Sequence, residues 1–298
     1  MRFYIILIFF LFGFNRFSLA ADSISIFKKR RIFFSSVIIS SSASSLVYLN
    51  KEWYQKYATT HFHTFDDHKE WLQIDKCGHS YSTYQATRLL LESSKWSGFT
   101  RKQQFVVSGI SSLSYMTTIE IMDGYSSGWG FSWSDMIANG FGIGMAMAQK
   151  ALWNDQRIQL KFMYYPSLFS KYNQRLLGNN LRENILKDYN GQTYWLSINP
   201  SSFIGNQKHF PKWLNVAIGY GANGMVNAQN NSVLTYDQLG NQLVFSRYRQ
   251  FYFSLDADLT RIKTKSKVLK TLFTFINCIK IPFPNVEFSE KKITFNPY

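Results

Sequence analysis

Asp75, Lys76 and His79, then Glu120 and Asp123, then Ser132, Asp135 and Asn139 place polar side chains on segments that otherwise read as buried helix. Burying such groups is costly unless they pair with one another or hold something. Asp75 and His79 stand at i,i+4, and Glu120 and Asp123 at i,i+3. At these spacings two side chains of one helix can close on a single ion. Asp135 and Asn139 would complete an oxygen-rich set with one imidazole, a donor chemistry suited to Mn, Fe, Zn or Mg. One reading is therefore a divalent metal at His79, Glu120, Asp123 and Asp135. The chain lacks the H-E-x-x-H and paired E-x-x-H patterns that would be diagnostic. The reading we favour is a structural network in which Asp135 caps its helix, Lys76 neutralises a carboxylate and His79 bonds Glu120 or Asp123. Acid–base catalysis is the third reading. All three expect these residues to converge within one helical bundle.

The elements that must position them follow from periodicity. Asp66 and Asp67 offer an N-cap and first-turn acids for a helix over about 68–94. On it Leu72, Asp75, His79, Ala86 and Leu90 share a face. A second helix over 101–122 aligns Val106, Ile110, Leu113, Thr117 and Glu120, so Glu120 continues an apolar, core-facing stripe. A glycine-rich turn follows through Gly124, Gly128 and Gly130. Ser132 with Asp135 has capping-box spacing for a third helix over 136–152, whose Gly140, Gly142, Gly144, Ala146 and Ala148 suit close helix packing. From about residue 159 the period changes to two, with strands over 159–165, 194–198, 214–220 and 249–259. In the last, Phe251, Phe253, Leu255, Ala257 and Leu259 alternate with polar residues, which predicts one apolar and one wet face. That apolar face needs a cover, either protein or lipid. The strands visible in the sequence are too few for a minimal membrane barrel, so we expect protein, including a basic amphipathic helix over 263–279. The fold class is α+β: an N-terminal helical bundle with small-residue packing and a C-terminal antiparallel sheet with an amphipathic helix.

Other motifs carry less. A glycine-rich loop entering a helix could cradle an anion, but no P-loop lysine follows, and a plain turn explains it. His61, His63 and His68 are spaced too loosely to favour a metal over an aromatic-rich loop. Cys77 faces away from Asp75 and His79 and reads as packed. No serine sits in a G-x-S-x-G turn, so a nucleophilic triad is unsupported.

Residues 1–20 show a basic start, an apolar stretch and a small-residue end, the pattern of a secretory signal. The formal net charge of +15 comes without any nucleic-acid-binding motif, so nucleic acid is not the expected partner. For an exported chain, anionic lipid headgroups or envelope proteins fit better. The aromatic share of 18% points the same way, because aromatics concentrate at lipid interfaces. The tightest basic cluster, residues 28–31, precedes a stretch over 32–49 that is long enough for a membrane helix but rich in serine. Two cysteines, neither just after the signal, exclude a disulfide scaffold and leave no acylation site in view.

Trp71 with Asp75-Lys76-x-x-His79, Glu120-x-x-Asp123, and Gly128-Trp129-Gly130-Phe131-Ser132-x-x-Asp135 with Asn139 and Gly142 resemble the YfiM-like family of bacterial cell-envelope proteins. More distantly they resemble the VanZ-like membrane proteins. The resemblance covers about residues 51–155. It implies an exported, periplasmic or outer-membrane-associated helical domain of a Gram-negative bacterium, and supplies no established activity. The expected organisation is a signal at 1–20, a helical domain at 21–155 and a strand-rich region at 156–298. The expected function is a membrane-associated, non-enzymatic envelope protein, with a metal-binding protein or a hydrolase of an envelope lipid or glycan as the alternative.

Overall fold

The computed structural model describes residues 23–298 except 56, 205–210, 232–234, 237–241, 291 and 298. The signal sequence at 1–20 lies outside the described residues. The fold is α+β: helices dominate the N-terminal half, and a six-stranded antiparallel sheet forms the C-terminal half. Two compact units divide it. The helical unit comprises the residues up to Asp66, Ser82–Asn154 and Thr264–Leu272; the sheet unit comprises Asp67–Tyr81, Asp155–Lys263 and Phe273–Tyr298.

Among the described residues the long helices are α1 (Ser23–Leu49), α2 (Ile74–Trp96), α3 (Arg101–Gly124) and α4 (Trp133–Trp153). Within the helical unit, Arg30 and Arg31 of the basic cluster hold the carbonyls of Trp96 and Gly98 at 3.3 and 2.7 Å, where cations suit a helix C-terminus. Thr100 and Gln103 form a reciprocal capping box at the start of α3, and the Ser132 hydroxyl accepts from the Asp135 amide at the start of α4.

The interior of this unit is polar. On α3 the buried stripe is Gln104, Ser108, Ser112, Met116, Glu120 and Gly124, whereas Val106, Ile110 and Leu113 are exposed. The expected core-facing stripe is thus corrected: Glu120 is inside, but its supposed apolar companions point outward. The buried stripe recurs every four residues, and small hydroxyls let neighbours approach, as in the Thr87 to Ser112 hydroxyl bond of 2.9 Å. On α4, Ala138, Asn139, Gly142 and Ala146 are buried, while Trp133, Ile137, Phe141 and Leu152 are exposed. Gly140 and Gly144 face open space, so the close packing rests on the other small residues. Two stretches, Ser25–Tyr54 and Arg101–Gly124, are long and apolar enough to cross a membrane.

The glycine-rich turn is clamped by the aromatic loop before it. His63 and Phe131 exchange backbone bonds with Gly124, Phe65 and one another, and a side chain at Gly124, Gly128 or Gly130 would strike Phe62, Tyr57 or Phe65. The glycines make room for aromatic rings.

The sheet unit contains β1 (Ile158–Tyr164), β2 (Gln192–Ile198), β3 (Leu214–Asn223), β6 (Tyr248–Ala257), β7 (Asn285–Ser289) and β8 (Lys292–Asn296), paired in that order. A small separate pair is formed by β4 (Thr235–Tyr236) and β5 (Gln242–Leu243). Short helices α5 (Gln174–Leu177) and α6 (Leu181–Lys187) lie between β1 and β2 in the chain. The amphipathic α7 (Lys267–Ile276) falls within the expected span but has no buried residue.

Register sorts the sheet into two unlike faces. One cross-strand row reads Leu160, Leu196, Ile218, Phe253, Val286, Phe295; the next reads Phe162, Tyr194, Tyr220, Phe251, Phe288, Ile293. The opposite face carries Gln159, Ser197, Ala217, Ser254 and Asn285 in one row and Lys161, Trp195 and Gly219 in another. A Cβ at Gly219 would lie 2.8 Å from the Trp195 indole, so glycine lets that ring lie across its neighbour. The polar face is the buried one. Gln159, Lys161, Ser197, Asn215, Ser254 and Asp256 are all buried, whereas Phe251, Phe253 and Leu255 are exposed. This overturns the expectation of a wet polar face; the apolar face is covered by protein where Phe162, Tyr194 and Tyr220 meet Tyr81 and the cluster around Trp71, and is left uncovered along β6, β7 and β8. Ala257 is the exception on its face, being buried at the strand end, and Leu259 lies beyond the strand in a 3-10 turn.

The inversion holds because the buried groups satisfy one another. Lys161 Nζ is 2.7 Å from Asp256, both side chains fully buried, and donates to the Ala257 carbonyl and to Asn277. Asp256 also accepts from Ser197 at 2.6 Å and from the Ile281 amide. Lys280 donates to Ser254 and the Ile281 carbonyl and sits over the Trp195 ring at 4.7 Å.

Candidate functional site

The sequence-derived candidates fall into two sets, one in each unit. In the sheet unit, the chain enters α2 through three consecutive residues in the left-handed region, Trp71, Leu72 and Gln73, with φ of 48°, 50° and 65°. Such backbone costs roughly 1–2 kcal/mol per residue and must be held by its surroundings. The Trp71 amide donates to the Ala228 carbonyl, and its ring lies 4.9 Å from that of Tyr189. The Leu72 carbonyl accepts from the Tyr220 hydroxyl and from Arg249 at 3.1 Å, and Arg249 also reaches Gln73 and Tyr220. Trp71 and Ile74 join Leu177, Ala222 and Met225 in the apolar cluster of this unit. Helix α2 therefore begins at Ile74, later than the periodicity implies, because the preceding residues form this turn.

The turn delivers Asp75, Lys76 and His79 at a fixed place. Lys76 Nζ lies 2.6 Å from Asp67 and 3.0 Å from Asp75. Tyr189 donates to the other Asp75 oxygen at 2.8 Å, and His79 Nε2 stands 3.9 Å from that same oxygen. Burial works to raise the Asp75 pKa, but the His79 and Lys76 charges and the bonds from Lys76 and Tyr189 outweigh it and hold the carboxyl below its usual value. Gly78 is required by close approach, since a Cβ there would lie 2.9 Å from the Tyr194 hydroxyl. Burial, and then the Asp75 charge, push the Cys77 thiol up to about 11, which leaves it an unreactive thiol. Cys77 and Cys278 are both free.

In the helical unit, Glu120 is buried and its Oε2 accepts from the Ser132 amide at 3.3 Å. The Ser132 hydroxyl accepts from the Asp135 amide at 3.1 Å and bonds Ser134. Asp135 and Asn139 lie one turn apart on the buried stripe of α4. Asp123 is half-buried and hydrogen-bonds the Tyr54 phenol. The structure thus brings Glu120, Ser132 and Asp135 together around the entry to α4, and Asp67, Asp75, Lys76 and His79 together around the entry to α2.

Sequence reasoning passed over the polar network of the sheet, with Lys161, Asp256 and Lys280 at its centre. The signal was present: Gln159 and Lys161 alternate with Leu160 and Phe162, in step with Ser254 and Asp256. Taking the polar partners as the wet face hid it. Tyr189, Tyr220 and Arg249 were also passed over, since their proximity to α2 arises only from tertiary structure, and Asp67, expected as a helix-start acid, pairs with Lys76 instead.

Residues 63–151 match the model of a family described as a predicted periplasmic lipoprotein (DUF2279). The matched segment contains every candidate of both sets from Asp67 to Asn139. No curated protein and no solved structure matches the chain.

Proposed function

We propose that this chain is an exported, membrane-associated protein of the cell envelope with a non-enzymatic role, whose polar clusters hold the fold together. The observation that carries the reading is the orientation of the helices in the family-matched segment. Val106, Ile110, Leu113, Ile137 and Phe141 are exposed, while Ser108, Ser112, Glu120, Asp135 and Asn139 are buried. Helices in water bury their apolar stripe, and helices meeting lipid or an envelope partner need not. The family description and the apolar N-terminal sequence support export. The structural role of the polar groups is supported by Lys76, whose ammonium is engaged by two carboxylates. Fractionation of cells expressing the full chain tests the reading. It expects recovery with the envelope and a mature N-terminus at Ala21; an uncleaved chain in the cytosol overturns it.

A second reading, a divalent metal with His79 among its ligands, is favoured by the 3.9 Å between His79 Nε2 and the Asp75 oxygen within the sheet unit. Two donors at that distance leave room for a shared ion. Metal analysis of the purified chain separates the two. Stoichiometric metal that is lost in His79→Ala replaces the structural reading with the metal one.

A further inference from the structure

We propose that the outward apolar face of the sheet lies against the hydrocarbon of a lipid bilayer, an inference that rests on the membrane association proposed above. Ile218, Phe251, Phe253, Leu255, Phe288 and Ile293 are all exposed, at 42–71%. They are contiguous across strands, because Ile218 pairs with Phe253, Phe251 with Phe288, and Phe288 with Ile293. A face this continuous would aggregate in water.

Two features favour lipid over a protein as its cover. The exposed rows through Phe251, Phe253 and Leu255 contain no charged side chain, and the nearest charge on the face, Arg249, is turned to Leu72, Gln73 and Tyr220; a protein interface of the usual kind mixes polar groups into its patch and rim. Polar side chains inside and apolar side chains outside is the arrangement of strands in membrane β-structure. The charge of the chain is complementary as well: a formal net charge of +15 suits a surface of anionic headgroups.

The test uses the full chain with vesicles of phosphatidylethanolamine and phosphatidylglycerol whose acyl chains carry bromine, a contact quencher of tryptophan. Phe253→Trp adds a fluorophore on the face; Val244→Trp adds one at an 82% exposed position just after β5, outside the six-stranded sheet. The expected result is flotation of both variants with the vesicles, loss of most of the added Phe253→Trp emission and little loss for Val244→Trp. Flotation with equal, weak quenching of both variants overturns the sheet-face proposal and leaves membrane association standing. Failure to float overturns both. A dimer in buffer that Phe253→Asp converts to monomer, with no quenching of Phe253→Trp, assigns the face to a second copy and also overturns the proposal. Phe253→Asp should itself fold, since the ring it replaces is half exposed.

Discussion

The helical unit and the sheet unit both turn polar side chains inward, but with different chemistry. In the helical unit the buried stripes mix small groups, Ser108, Ser112 and Asn139, with the longer Gln104, Glu120, Gln149 and Lys150, and the Lys150 ammonium reaches a half-exposed carboxylate, Glu92, at 2.7 Å. In the sheet unit the buried face holds a complete ion pair, Lys161 with Asp256, inside a lattice of Asn, Gln and Ser side chains. Access of water makes the difference: the Glu92 end of the helical pair stays open to solvent, whereas the sheet seals both partners of its pair. The sheet unit also owns an ordinary apolar cluster around Trp71, Ile74 and Met225.

If the ion pair is the sharper dependence, Lys161→Met should cause the largest loss. It leaves Asp256 buried without its cation, which costs about 3–5 kcal/mol, whereas Lys161→Met with Asp256→Leu should recover much of that. Denaturant midpoints of the single and double variants measure this, and equal losses would break the argument. The counterpart in the helical unit is Glu120→Ala, expected to cost about 2–4 kcal/mol because it removes a buried acceptor from the Ser132 amide. An unchanged midpoint would show that the helical unit does not depend on its polar interior.

How legible this was depends on what each signal encodes. Periodicity located the three candidate-bearing helices and four of the six main strands, and it grouped Phe251, Phe253 and Leu255 correctly on one face. It could not say which face is inside. That choice was made by partners far away in sequence, Lys161 for Asp256 and Asn277 for Gln159. The start of α2 was misjudged for a related reason. Asp66 and Asp67 look like a cap, but the chain spends Trp71, Leu72 and Gln73 on a left-handed turn that only Ala228, Tyr220 and Arg249 can hold. The Ser132 cap was legible because both of its partners lie within four residues.

That cap gives a smaller effect. Ser132→Ala removes the acceptor for the Asp135 amide and should cost about 1 kcal/mol, with the Glu120 contact preserved because it uses the Ser132 backbone. A loss as large as that of Glu120→Ala would mean that the two contacts form one unit.

The smallest effect concerns pH and the sheet interior. Burial, only partly offset by the Asp256 charge and reinforced by Lys161, lowers the Lys280 pKa to about 8 from an ordinary 10.5. Between those values the unfolded chain binds more protons at this residue than the folded one, so its contribution to stability rises as pH increases from about 8 to about 10.5. Other groups titrate in the same window, the buried Cys77 thiol among them, so the observable is the difference between the native chain and Lys280→Met. That difference should shift in favour of the native chain with rising pH across the window and be flat below it. A flat difference throughout would mean that the Lys280 ammonium is as well solvated as a surface lysine, and that the sheet interior shields its ion pair less completely than the burial of Lys161 and Asp256 implies.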